Sequence, residues 1–144
     1  MRLSRLIWFA LIFNCLTALA VGNGKIAWIT DLNQGIAAAQ KDSKTLMIDF
    51  MADWCEPCKE MERATFNNAA VIARSKSFIT VRIDIDKQRD VAAKYNALAR
   101  AYGGIGVPNM LFMTADGKKL KHVVGYQGPE QLLSIMNSVL KSSK

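Results

Sequence analysis

Histidine is almost missing from this chain of 144 residues: His122 is the single one. Catalysis or metal binding that needs a histidine cluster is therefore excluded. Cysteine is scarce as well, and three of them are too few for a disulfide scaffold and an odd number for a secreted protein. Three Pro and nine Gly exclude collagen-like and low-complexity architectures. The longest apolar run, Leu6 to Val21, is 16 residues, short of the roughly 20 that cross a bilayer as a helix. Heptads, internal repeats and long linkers are absent. Apolar residues, in contrast, make up 51% of the chain against 22% charged, enough to build a packed core. The length suits one domain.

The N-terminus accounts for part of the cysteine count. Arg2 and Arg5 precede the apolar run, which Asn14 and Thr17 alone interrupt before it ends in Ala18-Leu19-Ala20. A basic start, a short apolar stretch and small residues at the end describe a secretory signal peptide over residues 1–20, followed by a domain over 21–144. The second reading is a retained membrane tether. A lipoprotein signal does not fit, because Phe13-Asn14 rather than small residues precede Cys15. Cleavage after Ala20 removes Cys15 and two positive charges, taking the net charge from +7 to +5. The remaining charges are scattered. Lys118, Lys119 and Lys121 form the one tight basic group, without the interleaved aromatics of a nucleic-acid groove, so no nucleic-acid partner is expected.

The rest reads as alternating strands and helices. Lys25–Ile29 is a short candidate strand, and Asp31 can cap a helix with Leu32, Ile36 and Ala39 on one face. Residues 44–51 are an apolar strand, buried on both faces by pattern, with Asp49 as an intruder. A helix begins near Cys55 and carries Lys59, Glu60, Glu62 and Arg63 outward. A second short helix starts after Asn67-Asn68. From Phe78 to Asp86 the residues alternate, Ile79, Val81, Ile83 and Ile85 against Thr80, Arg82, Asp84 and Asp86. Asp90 leads a helix with Val91, Tyr95, Leu98 and Tyr102 in register, which Gly103-Gly104 and Gly106 stop. Two strands, 109–113 and 120–124, join through Asp116-Gly117, a strong hairpin signal. Gly128-Pro129 opens a last helix, with Leu132, Leu133, Met136, Val139 and Leu140 inward. This order predicts an α/β domain with a mostly parallel sheet ending in an antiparallel hairpin and helices on both sides.

The chemistry concentrates in Trp54-Cys55-Glu56-Pro57-Cys58-Lys59. A zinc half-site needs two more ligands, and His122 on a distant strand is the one remaining residue of the right type. A purely structural disulfide gains little from so short a loop. A redox dithiol needs a cysteine at a helix N-terminus, where free N–H groups and the helix dipole stabilise a thiolate. The order strand, motif, helix supplies that placement, so redox is the leading reading.

At this point the sequence resembles the thioredoxin superfamily. The matching residues are Asp49-Phe50, Ala52-Asp53-Trp54-Cys55-Glu56-Pro57-Cys58-Lys59, then Gly106-Val107-Pro108 and the hairpin Gly117. In particular, Ala52-Asp53-Trp54-Cys55 with Cys58-Lys59-Glu60 and Thr65-Phe66 resembles the C-terminal periplasmic domain of the transmembrane thiol:disulfide interchange reductases. The resemblance implies a thioredoxin fold, with a central mixed sheet of about five strands and helices on both faces. It implies Cys55 as the solvent-facing nucleophile, Cys58 as the resolving thiol that forms the redox disulfide with it, and Asp49 as the buried carboxylate that takes the Cys58 proton. Pro108 is then expected in the cis form, facing the cysteines, with Val107 offering backbone hydrogen bonds to an extended partner. Trp54 either shapes the surface beside the site or is an ordinary core residue. Arg82 stands where the family often has a Lys near the buried Asp, or else is a solvated strand charge. His122 is expected on the surface of the hairpin.

Glu56 departs from the Gly of cytosolic thioredoxins and opposes a Cys55 thiolate. Glu-Pro between the cysteines also occurs in membrane-linked reductases of cytochrome c maturation, but only about twenty residues separate Cys58 from Ile79, too few for the insert those relatives carry. The helix after Cys58 also lacks the kinking Pro of cytosolic thioredoxins. The expected function is an exported, periplasmic thiol–disulfide oxidoreductase that reduces protein disulfides of the cell envelope. A membrane thiol donor is the expected source of electrons. No cofactor and no metal are expected, and the chain is expected to act as a monomer. The alternatives are a reductase of the cytochrome c maturation type and a non-catalytic binding or chaperone module on the same fold.

Overall fold

A computed structural model describes residues 24–100 and 106–143. The expected signal segment, Tyr102 and Gly103-Gly104 lie outside the described residues, as does the side chain of Leu98. Strands β1 (Thr45–Met51), β2 (Phe78–Asp84), β3 (Asn109–Met113) and β4 (Lys119–Val124) form one sheet in the order β2-β1-β3-β4. β1 and β2 are parallel, whereas the β1–β3 and β3–β4 pairs are antiparallel. The sheet is thus mixed, and the mostly parallel arrangement read from element order is corrected. β3 enters the sheet at the end where β1 and β2 leave it, beside the cysteines, and so runs against both.

The expected first strand is also corrected, leaving four strands rather than about five. Ile29 makes a single parallel bridge to Val81, its N–H donating to Thr80 O and its carbonyl accepting from Arg82 N–H, each at 2.9 Å. Ladder formation stops there because the neighbouring groups are otherwise engaged. The Thr80 hydroxyl donates to Ala27 O at 2.6 Å, and Asp31 already caps the next helix.

Two layers cover the sheet. On one face lie α1 (Leu32–Asp42) and α4 (Arg89–Arg100), packing Leu32, Ala39 and Tyr95 against Leu46, Ile48, Phe50, Val81 and Ile83. On the other lie α2 (Glu56–Glu60), a π-helical segment (Met61–Thr65), α3 (Ala69–Ser75) and α5 (Pro129–Ser142). Met61, Phe66, Val71, Leu132, Met136 and Val139 there meet Met47, Phe78, Met110 and Phe112. The alternation of strand side chains decides the assignment: in β1, residues 46, 48 and 50 face the first layer and Met47 and Asp49 the second. Local signals set the helix starts. Asp31 Oδ1 accepts from Gln34 N–H at 2.7 Å, Asn68 Oδ1 from Ala70 N–H at 3.0 Å, and Pro129 occupies the first turn of α5. α1 lies so close to the sheet that a Cβ on Gly35 would sit 2.4 Å from Val81 Cγ2.

Candidate redox site

β1 is buried from Thr45 to Phe50, so its apolar pattern holds, and it delivers the chain at Met51 to a tight turn. Cys55 N–H donates to Ala52 O at 3.1 Å, and Cys55 becomes the N-cap of α2. Its Sγ lies 3.2 Å from the donating Cys58 N–H, and Pro57 stands in the first turn, where a missing N–H costs nothing. Cys55 and Cys58 form a disulfide with an S–S distance of 2.08 Å. The sequence reading expected Cys55 to face solvent. In the structure Cys55 is 3% exposed and Cys58 6%, because Met51, Ile85 and Val107 pack over the pair.

Val107 reaches the site through a loop that begins at Gly106, whose φ of +133° is a conformation that side chains rarely tolerate. The Val107–Pro108 peptide bond is cis, as expected, and Pro108 is buried. Asn109 Nδ2 donates to Gly106 O at 2.6 Å, and Gly125 N–H to Pro108 O at 2.8 Å, which pins the loop from two sides. Among the described residues nothing hydrogen-bonds to the Val107 backbone.

Asp49 projects into the layer that carries α2. Its carboxylate is buried and accepts from Arg82 Nε at 3.0 Å, the register partner on β2. Burial outweighs the attraction of Arg82 and raises the Asp49 pKa from 3.8 to about 6. Of the two readings of Arg82, the structure thus selects the one beside the buried Asp, with a side chain only 19% exposed. Its guanidinium also lies 4.2 Å from the Trp28 ring centroid and 5.1 Å from that of Phe66.

Glu62, expected to point outward, is 46% exposed, but one of its carboxylate oxygens is buried. Its Oε2 lies 2.8 Å from Arg82 Nη1, close enough for a strong coulombic contact but off line for a hydrogen bond. A π-helical segment, Met61–Thr65, continues α2 and carries Glu62. Thr65 closes this segment with its hydroxyl donating to Gln127 O at 2.7 Å. A small cavity of about 130 Å³ results, lined by Met51, Cys58, Glu62 and Arg82 among others. The spacing Cys58-x-x-x-Glu62 places both on one helix face, a signal that could have marked Glu62.

Trp54 is 66% exposed, which removes the core reading; its indole N–H donates to Asp86 Oδ2 at 2.7 Å and holds the ring at the surface. Glu56 pairs with Arg63 at 3.2 Å and Lys59 at 3.5 Å. The Arg63 hydrogen bond first, then the charge of Lys59, lowers its pKa, and both cations offset the carboxylate beside Cys55. His122 is half-buried on β4, opposite Leu111 and away from the cysteines. Burial, then the charge of Lys119, lowers its pKa. Among the described residues no cluster of three His, Cys, Asp or Glu could hold a metal.

A mixed sheet between helical layers, with a Cys-x-x-Cys disulfide capping a helix and a cis-proline loop against it, defines the class of thioredoxin-fold proteins. The family described as "Thioredoxin-like domain" matches residues 32–140, and the chain belongs to it. Its relatives include the thiol:disulfide interchange protein DsbD of Vibrio vulnificus (strain CMCP6). That protein is 35% identical over 98 residues, which are 68% of this chain and 16% of that protein. DsbD of Ralstonia nicotianae is 29% identical over 121 residues, 83% of this chain and 19% of that protein. The chain therefore spans less than a fifth of the length of these relatives. Among solved structures, a DsbH oxidoreductase has a TM-score of 0.68 at 21% identity, covering 89% of this chain and 93% of its own. The reduced C-terminal domain of Neisseria meningitidis DsbD has a TM-score of 0.59 at 24% identity, covering 74% and 91%. At those identities the structures show the shared fold.

Proposed function

We propose that the chain is an exported thiol–disulfide oxidoreductase that reduces disulfides of partner proteins in the cell envelope through Cys55 and Cys58. The observation that carries this reading is the Cys55–Cys58 disulfide at the start of α2, with the Asp49–Arg82 pair in the layer beneath it. In the dithiol form the Cys55 thiolate attacks one sulfur of a partner disulfide; that S–S bond breaks and the other partner sulfur leaves as a thiolate. Cys58 then attacks Cys55 Sγ, restoring the intramolecular disulfide and releasing the reduced partner. Two electrons pass from the domain to the partner, and a membrane thiol donor returns them. Asp49 accepts the Cys58 proton, directly or through a water, because a carboxylate with a pKa of about 6 changes charge near the working pH. Val107 presents its backbone N–H and C=O, which no described residue engages, to an extended partner segment, and Trp54 and Pro108 shape the surface around it.

Residues 1–20 direct export in this reading, and the domain acts as a monomer. Among the described residues no helix is long and apolar enough to cross a membrane. The decisive experiment is a trap. Cys58→Ala expressed in cells is expected to accumulate mixed disulfides through Cys55, which mass spectrometry then identifies. A Cys55→Ser, Cys58→Ser double variant that retains full function would replace this reading with a non-catalytic binding module. The equilibrium potential against glutathione separates directions: a value well above about −180 mV points to oxidation or isomerisation rather than reduction.

A further inference from the structure

The end of the domain opposite the disulfide has a chemistry of its own. β1 has seven residues and rises about 3.3 Å per residue, so Thr45 stands roughly 20 Å from the cysteine end. Around Thr45 opens a cleft of about 680 Å³, lined by the cations Lys44, Arg74 and Lys141 and by the polar side chains of Ser43, Ser77 and Asn137. Among the described residues no carboxylate side chain lines it. Among the described residues none of these three cations takes part in an ion pair, and Lys44 Nζ is engaged only with Lys76 O at 3.2 Å.

The charges of the whole chain are segregated in the same sense. Eight of its twelve Asp and Glu lie in residues 49–62 and 84–90, at the ends of β1 and β2 that lead to the cysteines, against Lys59, Lys87 and Arg89 in the same segments. At the opposite end stand Lys41, Lys44, Arg74, Lys76, Lys118 and Lys141, against Asp42 and Asp116. Cations in the last turns of α1, α3 and α5 complement the helix dipoles, which accounts for Lys41, Arg74 and Lys141. Lys76 is the C-cap of α3 and Lys44 Nζ donates to its carbonyl, so both belong to the same helix end. The helix ends do not account for Lys118, nor for a cleft that no described carboxylate side chain lines. Lys25 lines a groove with Lys76 and Phe78 at the start of β2.

We propose that this basic end, centred on Lys44, Arg74 and Lys141, docks on the anionic headgroups of a lipid bilayer and leaves the disulfide facing away from the membrane. Lipid phosphates fit the cleft because unpaired cations and neutral hydroxyl and amide groups line it. The proposal rests on residues remote from the cysteines and stands or falls independently of the redox reading.

The test uses the full chain with vesicles of phosphatidylcholine alone and of phosphatidylcholine mixed with phosphatidylglycerol. The apolar N-terminal run and its two arginines contribute equally in every variant, so the ratio of the two partition coefficients isolates the basic end. Each cation at an anionic surface is worth roughly fivefold in partitioning, so Lys44→Gln/Arg74→Gln/Lys141→Gln is expected to lower the ratio about a hundredfold. Should the triple variant fail to fold, Arg74→Gln and Lys141→Gln singly, both on exposed side chains, are each expected to lower it roughly fivefold. Hydrogen exchange is expected to slow at residues 43–45 and 137–143 on the mixed vesicles and to stay unchanged at residues 53–56. Three outcomes overturn the proposal. The first is an equal loss per charge from Lys94→Gln/Lys121→Gln, which marks diffuse attraction. The second is protection at the cysteine end. The third is binding of inorganic phosphate alone with no preference for the anionic vesicles, which marks a free-anion site.

Discussion

Asp49 and Arg82 face each other across the parallel β1–β2 ladder, with Arg82 Nε donating to Asp49 Oδ2 at 3.0 Å in the layer beneath the disulfide. The pair does not neutralise the cost of burial. Desolvation still dominates and leaves the Asp49 pKa at about 6. A charge on Asp49 above that pH is therefore a strain on the folded state, and several consequences can be measured.

A folded-state pKa above the unfolded one means that the native protein binds the proton more tightly. The Asp49 contribution to stability is therefore full below about pH 4, falls between about pH 4 and 6, and stays lost above. The loss amounts to about 2–3 kcal/mol. Asp49→Asn is expected to lack this slope. Urea unfolding of the oxidised protein at pH 4 and pH 7 should show the difference between wild type and variant moving in favour of the variant by about that amount. A difference that does not change with pH would mean that Asp49 is already ionised at pH 4.

Arg82 lowers the Asp49 pKa both by its charge and by its hydrogen bond. Arg82→Gln is expected to move the Asp49 titration upward from about 6, and Arg82→Lys to restore part of the difference. Carboxyl carbon NMR of Asp49 across pH reads this directly. In the proposed mechanism the pH profile of Cys58 reactivity moves with it, which a merely structural Arg82 would not cause.

Gly35 tests the packing of α1 on the sheet. In an exposed helix, Gly→Ala gains up to about 1 kcal/mol. Here the added methyl meets Val81 Cγ2 at 2.4 Å, inside a core where Val81 is fully buried. Overpacking costs about 1–3 kcal/mol, so Gly35→Ala is expected to destabilise despite the helix preference. The midpoint of denaturant unfolding gives the sign.

Thr65 is buried, and its hydroxyl is bonded to Gln127 O at 2.7 Å. Thr65→Val leaves that carbonyl without its donor and is expected to cost about 1–3 kcal/mol, with Thr65→Ser retaining most of the bond. The same change frees the end of the π-helical segment. Glu62 should then hold Arg82 less tightly, visible as a smaller separation between the Arg82 side-chain resonances and those of exposed arginines.

The order of elements, most of their limits and the location of the chemistry were legible from periodicity and capping. The hairpin at Asp116-Gly117, the caps at Asp31 and Asn68, and Pro129 in the first turn of α5 are local, and each stands where its residues indicated. The strand at Lys25–Ile29 failed because a β-like pattern does not say whether a partner edge is free to pair along its length. The direction of β3 was likewise hidden, since a helix between two strands does not reveal at which end of the sheet the chain returns.

The site divides along the same line. Cys55 and Cys58, three apart at the mouth of a helix, can meet within one turn, so chain spacing alone brings their sulfurs together. Asp49 as a charged intruder in an apolar strand was equally plain. Its partner was not: Arg82 lies 33 positions further along the chain, and the strand register alone aligns them. The contact of Glu62 with Arg82, the anchoring of Trp54 by Asp86 and the cleft at the opposite end all join residues from different elements. Periodicity reports which face of one element a side chain occupies. Which charge stands opposite it depends on how the elements pack, and for Asp49 that packing puts a guanidinium within hydrogen-bond reach while still withholding the water that would keep its pKa low.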